Sequence, residues 1–166
     1  MRSTPGTSPP GWHWRSGPVA GARCVVCDID GVISDAAARQ RFLARQPPDW
    51  TAFFEACGED PLVDEMAKLL DLLEPTLVVV LLTARPLSVK RQTIEWLDRF
   101  GVRHDLLIMR PQGVREPARS FKRRAIRQLC ERGFDLVLGF EDDPSNRSMF
   151  EAEGVPCVYV HSGYYE

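Results

Sequence analysis

Five short apolar runs recur along the chain, and stretches of helical periodicity separate them. Residues 23–27, 77–82, 105–109, 136–140 and 157–160 are rich in Val, Leu, Ile and Cys, as buried strands are. Between the second and third runs, Val89, Ile94, Trp96, Leu97 and Phe100 fall at mostly helical spacing over residues 88–100, with Gly101 as a stop. Residues 121–130 repeat the pattern through Phe121, Ala125, Ile126, Leu129 and Cys130 before Gly133, and residues 146–153 form a third helix before Gly154. Strands alternating with helices predict a three-layer α/β/α arrangement, with a five-stranded parallel sheet covered on both faces.

Residues 34–74 are more than one crossover needs. They predict a small helical insert over residues 35–57, with a turn at Pro47-Pro48-Asp49-Trp50, followed by a crossover helix over residues 61–73. Residues 1–21 are rich in proline and glycine and carry no apolar signal segment, which predicts a disordered leader ahead of one domain over 22–166. A chain of 166 residues can bury a sizeable single core. None of its apolar runs approaches the roughly 20 residues a membrane span needs. A net charge of −2 gives no global attraction to nucleic acid or membrane, so any such affinity must be local. Cys24 and Cys27 have metal-site spacing but lie inside a predicted strand, without a second pair. They are expected to be core thiols of a cytoplasmic protein.

The chemistry gathers at strand ends. In an open α/β sheet, ligands bind beyond the carboxyl ends of the strands. The first run ends in Asp28 and Asp30, and Gly31 lets the backbone turn. Two acids buried there need a cation or hydrogen bonds to offset lost hydration. Thr83-Ala84-Arg85 follows the second run, Arg110 the third and Glu141-Asp142-Asp143 the fourth, while Lys122 opens the helix before the fourth.

Asp28-Ile-Asp30-Gly31-Val32, Leu82-Thr83, Lys122 and Glu141-Asp142-Asp143 resemble the four signature motifs of the haloacid-dehalogenase (HAD) superfamily of phosphohydrolases. Within it, the chain is most similar to the 3′-phosphatase domain of phage-type polynucleotide kinase. The shared pieces are Thr83-Ala84-Arg85, Met109-Arg110-Pro111, Lys122 twelve residues after Arg110, Arg39 eleven after Asp28, and the ending from Gly154 to Gly163. Ala118 stands where that family has an acid four residues before the lysine, with Glu116 nearby but out of register.

The resemblance implies Asp28 as the nucleophile that forms an aspartyl-phosphate and Asp30 as the acid and base. Mg²⁺ would be held by Asp28, the Asp30 carbonyl, and Asp142 or Asp143. Thr83 and Lys122 would stabilise the transferring phosphoryl group. Arg39, Ala84, Arg85 and Arg110 complete the expected substrate contacts.

Arg110, Arg115, Arg119, Lys122, Arg123, Arg124, Arg127 and Arg132 form a basic stretch, opposed nearby by Glu116 and Glu131. It is either a solvated helix surface or a track for a nucleic-acid strand leading to a DNA or RNA 3′ end. Trp50, Phe53 and Phe54 either glue the insert to the core or offer a stacking face to a terminal base. Other readings are a phosphatase of nucleotides or sugar phosphates, a phosphotransferase, or a non-catalytic module that binds phosphate or protein. No kinase-type phosphate loop occurs, so a kinase or ligase partner would be a separate protein.

Overall fold

The computed structural model describes residues 7–165. Its elements run in the order β1 (Trp12–Trp14), β2 (Arg23–Cys27), α1 (Gln40–Leu43), α2 (Trp50–Glu55), α3 (Asp64–Leu72), β3 (Val78–Pro86), α4 (Lys90–Arg99), β4 (Leu106–Arg110), α5 (Ala118–Glu131), β5 (Asp135–Glu141), α6 (Pro144–Ala152) and β6 (Cys157–Tyr159). The strands form one sheet in the order β1-β4-β3-β2-β5-β6. The five strands expected from the apolar runs are its parallel part.

Strand periodicity sorts the core into two layers. Cys24 and Val26 face one side with Val80, Leu82 and Ile108, against Phe121, Ala125, Ile126 and Leu129 of α5 and Met149 and Phe150 of α6. Val25 and Cys27 face the other side with Val79, Leu81 and Leu107, against Leu70 of α3 and Trp96 and Leu97 of α4. Cys24 and Cys27 are both buried and unbonded to each other, as expected of core thiols.

The expectation of a disordered leader does not hold for residues 12–14, which add a sixth, antiparallel strand against β4. Two contacts hold it there. Trp12 is buried in the core, and Trp14 stacks on Phe134 with centroids 6.1 Å apart. Gly11, at φ +91°, passes so close to the Met109 carbonyl that a Cβ would overlap it, and its own carbonyl accepts the Met109 N–H at 2.9 Å. Residues 1–6 of the expected leader lie outside the described residues.

Strand β2 is central, with β3 on one side and β5 on the other. The chain therefore reverses its direction of travel across the sheet at the carboxyl end of β2, the place where such sheets open a crevice. Residues 37–59 carry α1, α2 and two short 3₁₀ turns. Among the described residues, no helix is long and apolar enough to cross a membrane.

Candidate active site

Asp28 continues directly from β2, pinned by its N–H to the Phe140 carbonyl of β5 at 3.0 Å. Its Oδ1 accepts the Ile29 N–H at 2.8 Å, and its Oδ2 lies 2.9 Å from the Lys122 ammonium. Lys122 is buried on the first turns of α5 and also donates to Glu141 Oε2 at 2.6 Å. The other Glu141 oxygen accepts the N–H groups of Asp142 and Asp143, at 3.1 and 3.2 Å. Glu141 thus fixes both the lysine and the turn after β5.

Asp28, Glu141 and Asp142 offer carboxylate oxygens within 4.8 Å of one another. Three buried acids face one lysine, so the charge does not balance. Burial, and then the charge of Glu141, push the Asp28 carboxyl well above its usual value. Burial likewise pushes Asp142 up to about 7. Lys122 is raised despite its burial, because Asp28 and Glu141 surround it, and Lys122 holds Glu141 below its usual value against the effect of burial.

Both Asp142 carboxylate oxygens are buried without a hydrogen-bond partner among the described residues. Orphaned, acceptor-only oxygens beside two further acids fit a hard divalent cation such as Mg²⁺. Gly31 makes the approach possible: its φ is +81°, and a Cβ there would overlap the Asp142 carboxylate.

Asp143, expected as a metal ligand beside Asp142, is outside this group. It caps α6 instead, Oδ1 accepting the Ser145 N–H at 2.8 Å. The Asp30 side chain also turns away from the group. Its Oδ1 accepts from Arg39 Nη2 at 2.5 Å and from Arg85 Nη2 at 2.6 Å. Burial alone would raise the Asp30 carboxyl, but the two arginines hold it down to about 2.

Arg39 and Arg85, expected to contact substrate, are placed behind Asp30, away from the residues that line the cavity. Both are almost wholly buried, so their N–H groups must find partners inside the fold. Arg39 donates to Asp30, to both Asp60 oxygens and to the Phe53 carbonyl. Arg85 donates to Asp30, Ser34 Oγ, Thr93 Oγ1 and Asp60 Oδ2. Asp60 binds both arginines and Ser34, while its carbonyl accepts the Trp96 indole N–H at 2.8 Å. Asp60 was not anticipated, because a lone acid in Gly58-Glu59-Asp60-Pro61 carries no motif.

Thr83 is buried within β3, just before a register shift, and its Oγ1 accepts the Arg85 N–H at 3.2 Å. Arg110 lies at the end of β4 and donates twice to the Ala84 carbonyl, at 3.0 and 2.7 Å, and once to that of Glu116 at 3.3 Å. It braces the turn that carries Ala84.

Asp28, Asp30 and Lys122 open into a cavity of about 600 Å³, lined also by Ala84, Arg110 and Trp50. Tyr164, unforeseen in the sequence, lines the same cavity and is tied to the insert by its hydroxyl, which donates to Asp35 at 2.9 Å. Three arginines of the basic stretch on α5 are ion-paired. Arg123 and Arg127 pair with Glu153, and Arg124 with Glu116.

Residues 22–165 match the family described as polynucleotide kinase PNKP phosphatase domain. Comparison with curated proteins gave no match. Among solved structures, a chain of the Pnkp1/Rnl/Hen1 RNA repair complex is 20% identical with a TM-score of 0.71, covering 91% of this chain and 46% of that one. This chain thus spans less than half of that relative. A HAD-like phosphatase from Mesorhizobium loti is 16% identical with a TM-score of 0.53, covering 90% and 78%. A HAD-superfamily hydrolase from Geobacter sulfurreducens is 17% identical with a TM-score of 0.51, covering 84% and 87%. At such identities these structures show a shared fold.

Proposed function

The chain belongs to the polynucleotide kinase phosphatase-domain family of HAD-type phosphatases, and on that premise we propose that it is a Mg²⁺-dependent phosphomonoester hydrolase acting on nucleic-acid 3′ ends. The observation that carries the reading is the charge arrangement at the cavity floor. Asp28 lines the cavity with one oxygen 2.9 Å from Lys122, and Glu141 and the orphaned Asp142 oxygens lie beside it.

In the first step a carboxylate oxygen of Asp28 attacks phosphorus in line, forming an acyl-phosphate bond as the ester P–O bond breaks. Lys122, which lines the cavity beside Asp28, offsets charge on the phosphoryl oxygens. Asp30, which its two arginines keep ionised in the free site, would have to take up a proton before giving one to the leaving alcohol. In the second step water attacks the acyl-phosphate, its proton passes to the Asp30 carboxylate, and inorganic phosphate leaves. Asp28, Asp142 and Glu141 would hold Mg²⁺, directly or through water, and the cation would cancel repulsion between the acids and a dianionic substrate.

The nucleic-acid part rests on family membership and on the repair complex in which a similar chain was solved. Phosphate release with Mg²⁺ should be compared across a 3′-phosphorylated oligonucleotide, its 5′-phosphorylated isomer, mononucleotides and sugar phosphates. Preference for the 3′ oligonucleotide is expected. Equal or faster turnover of sugar phosphates would replace this reading with that of a metabolite phosphatase.

A further inference from the structure

The cavity above Asp28 is larger than a phosphoryl group needs, and its wall is chemically divided. Its floor is the charged group, whereas the wall supplied by the insert is aromatic. A volume of about 600 Å³ falls within the roughly 300–1,000 Å³ usual for ligand sites. The three insert aromatics do different work. Phe53 is buried, packs edge-on against both Trp50 and Phe54, and has the Arg39 guanidinium 4.3 Å from its centroid. It is the anchor that glues the insert down.

Trp50 is the outermost of the three. It stacks on Phe54 at 6.0 Å and 28°, lines the cavity, and stays 54% exposed. Its position is fixed by the start of α2, where Asp49 Oδ1 accepts the Ala52 N–H at 3.0 Å. Arg110 lies 6.0 Å from the Phe54 centroid, which places a cation beside the same wall. A large indole held open to solvent over a phosphate-sized charged floor asks for a planar, apolar group joined to a phosphate. A nucleobase has that chemistry, and a sugar does not.

We infer that Trp50, backed by Phe54, is the stacking platform for the base of the substrate's 3′-terminal nucleoside, giving preference for base-bearing ends without preference among bases. This rests on the hydrolase reading above and adds the specificity element to it. Base–aromatic stacking is sequence-tolerant because every base offers a π-face, and removing the aromatic typically weakens binding by about 5-fold or more.

The test uses the Asp28→Asn chain and two 3′-phosphorylated single-stranded oligonucleotides that differ only in whether the terminal nucleoside carries its base or is abasic. Base-bearing binding should be tighter by about 5-fold or more. Adding Trp50→Ala should erase that difference, and Trp50→Phe should retain part of it. Equal affinity for both oligonucleotides, or a difference that survives Trp50→Ala, would overturn the inference. Turnover by the unsubstituted chain separates the two readings. Hydrolysis of both ends without base discrimination refutes the platform alone, whereas discrimination in binding with hydrolysis of neither refutes the hydrolase reading and leaves the platform standing.

Discussion

Arg85 grips the Asp30 carboxylate with two of its nitrogens, Nη2 at 2.6 Å from Oδ1 and Nε at 3.1 and 3.2 Å from Oδ1 and Oδ2. Behind this pair stands Asp60, which binds Arg39 and reaches Arg85, so two acids and two arginines balance inside the fold. Such a cluster fixes the direction in which Asp30 points, and breaking it leaves a buried charge unmatched.

Arg85→Ala should therefore destabilise the chain by about 3–5 kcal/mol, measured by denaturant unfolding, since one partner of a buried ion cluster is lost. Combining it with Asp60→Asn should cost less than the sum of the single changes, because the second removes a charge that the first left unpaired. Simple additivity would mean that the arginine and Asp60 are not energetically coupled.

Gly31→Ala tests the backbone approach to the acids. The position has φ +81°, and a new Cβ would meet the Asp142 carboxylate, whose oxygens have no hydrogen-bond partner among the described residues. Displacing it should raise the Mg²⁺ concentration for half-maximal phosphate release about 10- to 100-fold, as disturbing the support of a metal ligand commonly does. The Mg²⁺-induced rise in Tm should shrink in parallel. An unchanged Mg²⁺ dependence would remove Asp142 from the metal site.

What the sequence made legible follows from how far each signal reaches along the chain. The apolar run ending in Asp28 and the turn at Glu141 are local patterns, and both lie at strand ends where the fold needs them. Strand β1 escaped notice because three residues cannot display a period amid proline and glycine. The order of Arg39 and Arg85 in the chain was visible, but how their N–H groups are spent was not. That depends on Asp60 and Ser34, which folding alone brings beside them. Likewise Glu153 lies over 20 residues from Arg123 and Arg127 in sequence, and only α5 packing on α6 reveals that it neutralises them.

Asp28→Asn should abolish turnover, and EDTA should do the same reversibly to the unsubstituted chain. Stability gives a second readout. Burial and Glu141 raise the Asp28 carboxyl above its unfolded value, so near neutral pH its ionised form costs the metal-free fold stability. Removing that charge should leave the Asp28→Asn chain at least as stable in EDTA as the parent. Saturating Mg²⁺ should stabilise the parent by about 2.7 kcal/mol at 100 times its Kd, and the variant by less at the same concentration. Calorimetry with and without Mg²⁺ checks both signs, and an equal Mg²⁺ response in the two chains would place the cation elsewhere.

The basic stretch includes arginines already paired and arginines facing the cavity, and salt dependence can tell these two kinds apart. Arg123 and Arg127 share Glu153, whereas Arg115 is exposed, lines the cavity and makes no ion pair among the described residues. A paired arginine releases few counterions when a strand binds, because its charge is already screened by the carboxylate. Arg115→Ala should therefore raise KM for a 3′-phosphorylated single strand and reduce the slope of log KM against log salt by about 0.7, the value for one phosphate contact. Arg127→Ala should change that slope far less, while Glu153→Gln should steepen it by freeing two cations. KM measured from 50 to 200 mM salt, spanning the range where such contacts are felt, distinguishes the three. A larger loss from Arg127→Ala than from Arg115→Ala would mean that the strand runs along the outer face of α5 and displaces Glu153 as it binds.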